Sequence, residues 1–169
     1  MPRLVMMSGL PGSGKSTLSR MLAERTGARL LRIDIFEQDL RYQLGPEFNV
    51  GTLGYQHGYK LAARHMRDGY NVIADAVNAV EPARQGWRDA AANAGADLVE
   101  IEILCSDAEE VRSRLLTRDT GIPGLPPVTP AAVAARGWEQ STGNPGRLDT
   151  AGRSAEACLE DLVRLTSPA

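Results

Sequence analysis

The sequence is poor in lysine, cysteine and histidine, and it has no long apolar run. Of its 19 basic residues only Lys15 and Lys60 are lysines; the others are arginines. With 21 acidic residues the formal net charge is −2 and the pI is near 5.7. That balance argues against a partner that needs a broad basic face, such as a polynucleotide. Cys105 and Cys158 are the only cysteines. They stand far apart in apolar surroundings and read as buried free thiols, in keeping with a reducing cytoplasm. His57 and His65 have no partner at metal-ligand or triad spacing, and no G-x-S-x-G occurs, so neither zinc chemistry nor a hydrolase elbow is indicated. No apolar stretch approaches the ~20 residues that cross a bilayer, and the chain enters a strand almost at once, so neither a membrane span nor a signal peptide is expected. Internal repeats and low-complexity tracts are also missing. The 169 residues are expected to form one domain, 1–169, large enough to bury roughly 70% of its unfolded surface.

What the sequence does contain is GLPGSGKST, from Gly9 to Thr17. It satisfies G-x-x-x-x-G-K-[ST] in full. The apolar run Leu4-Val5-Met6-Met7 precedes it as a buried strand, and Leu18, Met21 and Leu22 follow at helical spacing. Strand, glycine loop and helix together make a phosphate-binding site. The glycines let successive N–H groups turn inward toward an anion, and the helix start adds its positive dipole end. Gly9, Leu10, Pro11, Gly12, Ser13, Gly14, Lys15, Ser16 and Thr17 are therefore assigned to the phosphates of a nucleoside triphosphate. Lys15 carries its charge to the β- and γ-phosphates, and the Ser16 hydroxyl is placed to ligate Mg²⁺.

Further along, strands and helices alternate. Residues 29–33 and 70–74 read as strands ending at Asp34 and Asp75, and Leu98–Cys105 is the clearest strand of all. Helices are expected over 35–44, 53–67, 81–94 and 107–118, with a short one over 131–139. The stretch 120–130 holds two glycines and four prolines and must be loop. A last short strand over 147–150 precedes a helix over 154–165. Alternation of this kind predicts an α/β fold with a parallel sheet covered by helices on both faces, its ligands gathered at the carboxyl ends of the strands.

Several residues at those ends could do chemistry. Asp34 could accept the proton of a substrate hydroxyl as its oxygen attacks the γ-phosphorus, or could simply cap the helix that follows. Asp75 closes an apolar strand as a Walker B acid does, holding Mg²⁺ directly or through water. Asn78 could orient the same water or a substrate group. Arg114 and Arg118, four apart on one helix, could neutralise charge on the transferring phosphoryl group. Arg41, Arg84 and Glu37 lie where an acceptor could sit, although each alone also reads as a surface charge. Asp149-Thr150-Ala151-Gly152 spells the magnesium-switch motif of GTPases, but it stands near the C-terminus and no N-K-x-D follows, which rejects that reading. By resemblance to small P-loop kinases, in which the loop after the last strand commonly packs against the base, Thr150 and Gly152 are instead expected beside it.

With these motifs the chain resembles the small P-loop kinases, the AAA-type ATP-binding kinases grouped with zeta toxins, chloramphenicol phosphotransferase and gluconate kinase. The resemblance rests on GLPGSGKST, Asp34, the segment Val72 to Asn78, Arg84, and Arg114 with Arg118. It implies a three-layer P-loop NTPase fold with five parallel strands in the order 2-3-1-4-5 and a mobile lid at about 118–140. It also implies ATP·Mg²⁺-dependent phosphorylation of a hydroxyl on a small molecule, with Asp34 as base, in a monomer or homodimer. Two departures bear on the acceptor. Family members often carry an arginine three or four residues after the acid, where this chain has Glu37 and Gln38 and places Arg41 later. The lid segment Thr120 to Thr129 has no charged residue. A nucleotide, polynucleotide or nucleotide-sugar kinase is an alternative, and an NTP-binding regulatory module with weak ATPase activity is one of a different class.

Overall fold

The computed structural model describes residues 1–167. Its elements run β1 (Arg3–Ser8), α1 (Lys15–Thr26), β2 (Arg29–Arg32), α2 (Ile33–Leu44), α3 (Leu53–Arg67), β3 (Val72–Asp75), α4 (Glu81–Asn93), β4 (Asp97–Leu104), α5 (Ala108–Leu116), α6 (Pro130–Ala134), β5 (Gly146–Asp149) and α7 (Ala155–Thr166). The five strands form one parallel sheet in the order β2-β3-β1-β4-β5. This is the P-loop NTPase arrangement expected from the sequence.

Alternation along β1 divides the core into two halves. Leu4 and Met6 point to the face covered by α3 and α4, where they join Leu31, Ala62, Met66, Val72, Ala74 and Trp87. Val5 and Met7 point to the opposite face, beside Leu18 and Leu22 of α1, Ile101 and Ile103 of β4, and Leu159 and Leu162 of α7. A strand buried on both faces reads as a continuous apolar run, which is why Leu4 to Met7 shows no polar alternation. Strand β1 pairs with β3 on one side and β4 on the other. The connections from β1 and β3 leave in opposite directions, so a crevice opens at the carboxyl end of β1.

Several boundaries differ from expectation. Helix α2 begins at Ile33 with Arg32 as its N-cap, so Asp34 stands in the first helical turn and neither ends the strand nor caps the helix. Helix α5 stops at Leu116, where the Thr117 hydroxyl bonds to the Ser113 carbonyl. Arg118 therefore opens the following loop and does not share a helix with Arg114. Helix α6 spans only Pro130–Ala134; beyond it Gly137 interrupts, and Glu139 bonds to α4 and the loop before it. Cys158 is buried as expected, whereas Cys105 is half-buried; both are free. No described helix is long and apolar enough to cross a membrane.

Candidate active site

The P-loop follows β1 and wraps into α1. Gly12 and Gly14 adopt φ of 87° and 92°, the left-handed region that a side chain disfavours. A Cβ on Gly12 would also lie 2.9 Å from Val111 Cγ1. Ser13 N bonds to Leu10 O at 3.2 Å, and Gly9 N bonds to Val77 O at 3.2 Å, tying the loop to the end of β3. The loop forms one wall of a cavity of about 780 Å³, large enough for a nucleotide and an acceptor. The cavity is lined by all nine residues Gly9 to Thr17, and also by Asp34, Arg41, Asp75, Arg114, Arg118 and Thr150.

At the floor of the cavity Lys15 Nζ is paired with Asp75 Oδ1, both side chains buried. The other Asp75 oxygen, Oδ2, and the Ser13 hydroxyl are enclosed and have no hydrogen-bond partner. Asp34 Oδ2 accepts from Arg32 Nη2 at 2.8 Å, while its Oδ1 is enclosed without a partner. Arg32 Nε lies 3.6 Å from Asp75 Oδ2. Two acids and two bases thus alternate across the site; Asp34 Oδ1 and Asp75 Oδ2 accept no hydrogen bond, and Asp75 Oδ2 is ion-paired with Arg32.

Arg114 and Thr150 support the P-loop. Arg114 Nη1 donates to Gly12 O at 3.2 Å and to Thr150 Oγ1 at 2.8 Å, and its Nη2 to Thr150 O at 3.2 Å. Glu110 holds the same guanidinium in an i,i+4 pair at 2.5 Å. The Thr150 hydroxyl in turn donates to Ser13 O at 2.8 Å. Both terminal nitrogens of Arg114 are engaged in this way, which braces the loop. Arg118 also lines the cavity, and no ion pair or side-chain hydrogen bond involves it among the described residues. Gly152 is exposed outside the cavity, with its N–H on Glu110 Oε2 at 2.8 Å.

Two residues assigned to the acceptor lie elsewhere. Asn78 is fully buried at φ 52°. Its Oδ1 accepts from Trp87 Nε1 at 3.0 Å, and its Nδ2 donates to Ser8 Oγ and Met7 O at 3.1 and 3.3 Å. Both ends of the amide are spent on joining α4 to β1. Arg84 is also buried; it reaches Glu139 O at 2.6 Å and Glu81 at 3.2 Å, with the Trp138 ring 5.1 Å from its guanidinium carbon. It fastens the segment after α6 to α4 and does not line the P-loop cavity.

In their place the structure brings Glu37, Tyr55 and Arg136 to the cavity beside Arg41. Burial pushes the Glu37 carboxyl above its ordinary value; Arg41 and Arg136 pull it down less strongly, and Asp34 adds to the rise. Burial also raises the Tyr55 phenol, with a smaller opposing effect from the Asn78 N–H that it accepts at 3.1 Å. Glu37, named from the sequence as a residue where an acceptor could sit, follows Asp34 by three residues and so shares its helix face. Tyr55 and Arg136 carried no such signal, because α3 and the segment after α6 reach the site only through the tertiary fold.

Comparison with known proteins agrees with this architecture. Residues 4–122 match the family model described as an AAA domain, and the chain belongs to that family. A curated protein of Mycobacterium tuberculosis, itself described as uncharacterized, is 32% identical over 164 residues. The match takes in 89% of this chain and 32% of that protein, so the chain spans about a third of the relative's length. Among solved structures, a candidate kinase of Chloroflexus aurantiacus superposes with a TM-score of 0.74 at 22% identity, covering 98% of this chain and 99% of that one. A gluconokinase of Sinorhizobium meliloti gives 0.69 at 15%, covering 97% and 91%. The adenylyl-sulfate (APS) kinase of M. tuberculosis, solved with AMPPNP and APS, gives 0.67 at 18%, covering 97% and 96%. The small P-loop kinases share this fold.

Proposed function

We propose that the chain is an ATP-dependent phosphotransferase, a single P-loop kinase domain over 1–169 with a lid at about 118–140, that moves the γ-phosphate to a hydroxyl of a small molecule. The observation that carries this reading is the Asp34 carboxylate. Asp34 lines the same cavity as the P-loop, with Oδ2 held by Arg32 and Oδ1 enclosed and without a hydrogen-bond partner. When a bound acceptor brings its hydroxyl to this carboxylate, the carboxylate takes the proton as the hydroxyl's oxygen bonds to the γ-phosphorus; the bond from phosphorus to the bridging oxygen breaks and ADP leaves. Lys15 and the loop amides hold the phosphates, and Arg118 faces the charge that develops on the transferring group. The residues also fit Mg²⁺. The Ser16 hydroxyl and Asp75 Oδ2, which accepts no hydrogen bond, are hard oxygen donors, and this ion takes most of its shell from water and phosphate. Bound there, Mg²⁺ would neutralise phosphate charge.

On the acceptor side, Arg41 and Arg136 have no ion-pair partner among the described residues and sit by Glu37 and Tyr55. That combination favours an acceptor with several hydroxyls and an acidic group. Glu37 would accept from hydroxyls, Tyr55 would donate, and the arginines would meet the acid. ADP release from Mg·ATP, measured across paired neutral and acidic polyols, sugars and nucleotide-sugars, tests the reading. A sharp rise with one acceptor supports it, and a low flat rate across the whole panel favours an NTP-binding module.

A further inference from the structure

Arg32 holds three elements at once. Its Nη2 donates to Asp34 Oδ2 at 2.8 Å, its Nη1 donates to Thr120 O at 3.1 Å, and its Nε stands 3.6 Å from Asp75 Oδ2. One planar cation, only 11% exposed, therefore joins the proposed base on α2, the acid ending β3 and the loop that leads from α5 into the lid. A guanidinium can do this because its donors are fixed in one fork, which a lysine ammonium lacks.

The lid lies against the helix that bears the base. Besides the Arg32 contact, Tyr42 Oη donates to Pro123 O at 2.8 Å. Gly124, at φ 70°, leaves no room for a side chain: a Cβ there would stand 2.7 Å from Tyr42 Oη and 3.2 Å from Gln38 Nε2. Tyr42 touches the lid alone, whereas Arg32 touches the lid and both acids. If the lid lifts, Arg32 loses Thr120 O, and the guanidinium that fixes the orientation of Asp34 is held by carboxylates only.

We propose that Arg32 is a positioning residue that couples docking of the lid to the aim of the Asp34 carboxylate. The idea rests on the kinase reading for its purpose, but the coupling can be measured without any acceptor. Coupling is reciprocal: removing the Asp34 charge must loosen a lid to which Asp34 makes no hydrogen bond or ion pair.

The experiment is quenched-flow hydrogen exchange at Ile122 and Leu125, in the whole chain with AMPPNP present. Four variants are compared with wild type: Arg32→Lys, Asp34→Asn, their double mutant, and Tyr42→Phe combined with Asp34→Asn. Thermal melts confirm that each is folded. Arg32→Lys should speed exchange by roughly tenfold, the scale of one hydrogen bond from a charged donor, and Asp34→Asn should speed it several-fold. The double mutant should exchange no faster than Arg32→Lys alone, because the path from Asp34 to the lid is already cut. Tyr42→Phe and Asp34→Asn should multiply, being independent latches. Unchanged lid exchange in Asp34→Asn would overturn the coupling, as would independent, multiplying effects of Arg32→Lys and Asp34→Asn. Neither result would bear on phosphoryl transfer, which the acceptor panel decides separately.

Discussion

Replacing Thr150 by valine removes one hydroxyl and changes little else, since the two side chains have nearly the same shape. That hydroxyl is 3% exposed at the residue level. It donates to Ser13 O at 2.8 Å and accepts from Arg114 Nη1 at 2.8 Å. Its loss leaves a buried P-loop carbonyl without its donor and a guanidinium N–H without its acceptor. Unmet groups of this kind cost about 1–3 kcal/mol. If the penalty falls wholly on the loop conformation that receives phosphate, the Kd for ATP rises between about fivefold and roughly a hundredfold. If bound and free loops suffer equally, the loss appears as stability, at about 2–4 °C in Tm per kcal/mol for a chain of this size. Isothermal titration with AMPPNP and a thermal melt of the same sample measure both shares. If Thr150 acts only by supporting the loop, the preference between ATP and GTP should not change. Unaltered affinity together with unaltered Tm would refute the bracing role, and a changed base preference would restore the position beside the base suggested by sequence.

Three further outcomes follow from the packing and the charges. Glu81 accepts from Thr142, Arg88 and Arg84, which hold its carboxyl down to about 2 from an ordinary 4.5. A depressed acid contributes stability that is complete above 4.5 and lost as pH falls toward 2. Glu81→Gln should therefore destabilise the fold at pH 7 and flatten the pH dependence of Tm between those values; an unchanged slope would refute it. Glu37 has the opposite sign: a carboxyl raised by burial opposes folding once ionised, and that penalty disappears below 4.5. Glu37→Gln should raise Tm at pH 7 but not at pH 4, and should weaken acceptor turnover in ADP-release assays. Gly58 lets α3 approach the core, where a Cβ would stand 2.5 Å from Ile33 Cδ1 and 2.9 Å from Trp87 Cη2. Gly58→Ala should lose about 1–3 kcal/mol by overpacking, read as a lower midpoint in urea.

The donor half of the site was legible because its chemistry is local. Nine consecutive residues, a strand before and a helix after determine where phosphates go, and Asp34 and Asp75 follow their strands closely enough to be found by position. The strand order came from the family resemblance and agrees with the observed pairing. Legibility ended where chemistry depends on what packs against a residue from afar. Asn78 and Arg84 look like ligands in sequence, being polar residues after a strand, yet Asn78 is bonded to Trp87, Ser8 and Met7, and buried Arg84 to Glu139 and Glu81. Arg114 and Thr150 are 36 residues apart and meet only beneath the P-loop. Arg32 reads as an ordinary strand residue until β2, β3 and the lid are assembled around it. The acceptor side is composed almost entirely of such meetings, which is why its residues were the least foreseeable.

The central claim is that Asp34 activates an acceptor hydroxyl toward ATP held by the P-loop. Its most direct test is the rate of γ-phosphate appearance on the acceptor, followed by phosphorus NMR, for wild type and Asp34→Asn side by side with AMPPNP affinity measured on both. The account predicts equal nucleotide affinity, rapid transfer by wild type and a rate for the variant lower by about 10² or more, the usual worth of a general base. Undiminished transfer by Asp34→Asn would contradict it.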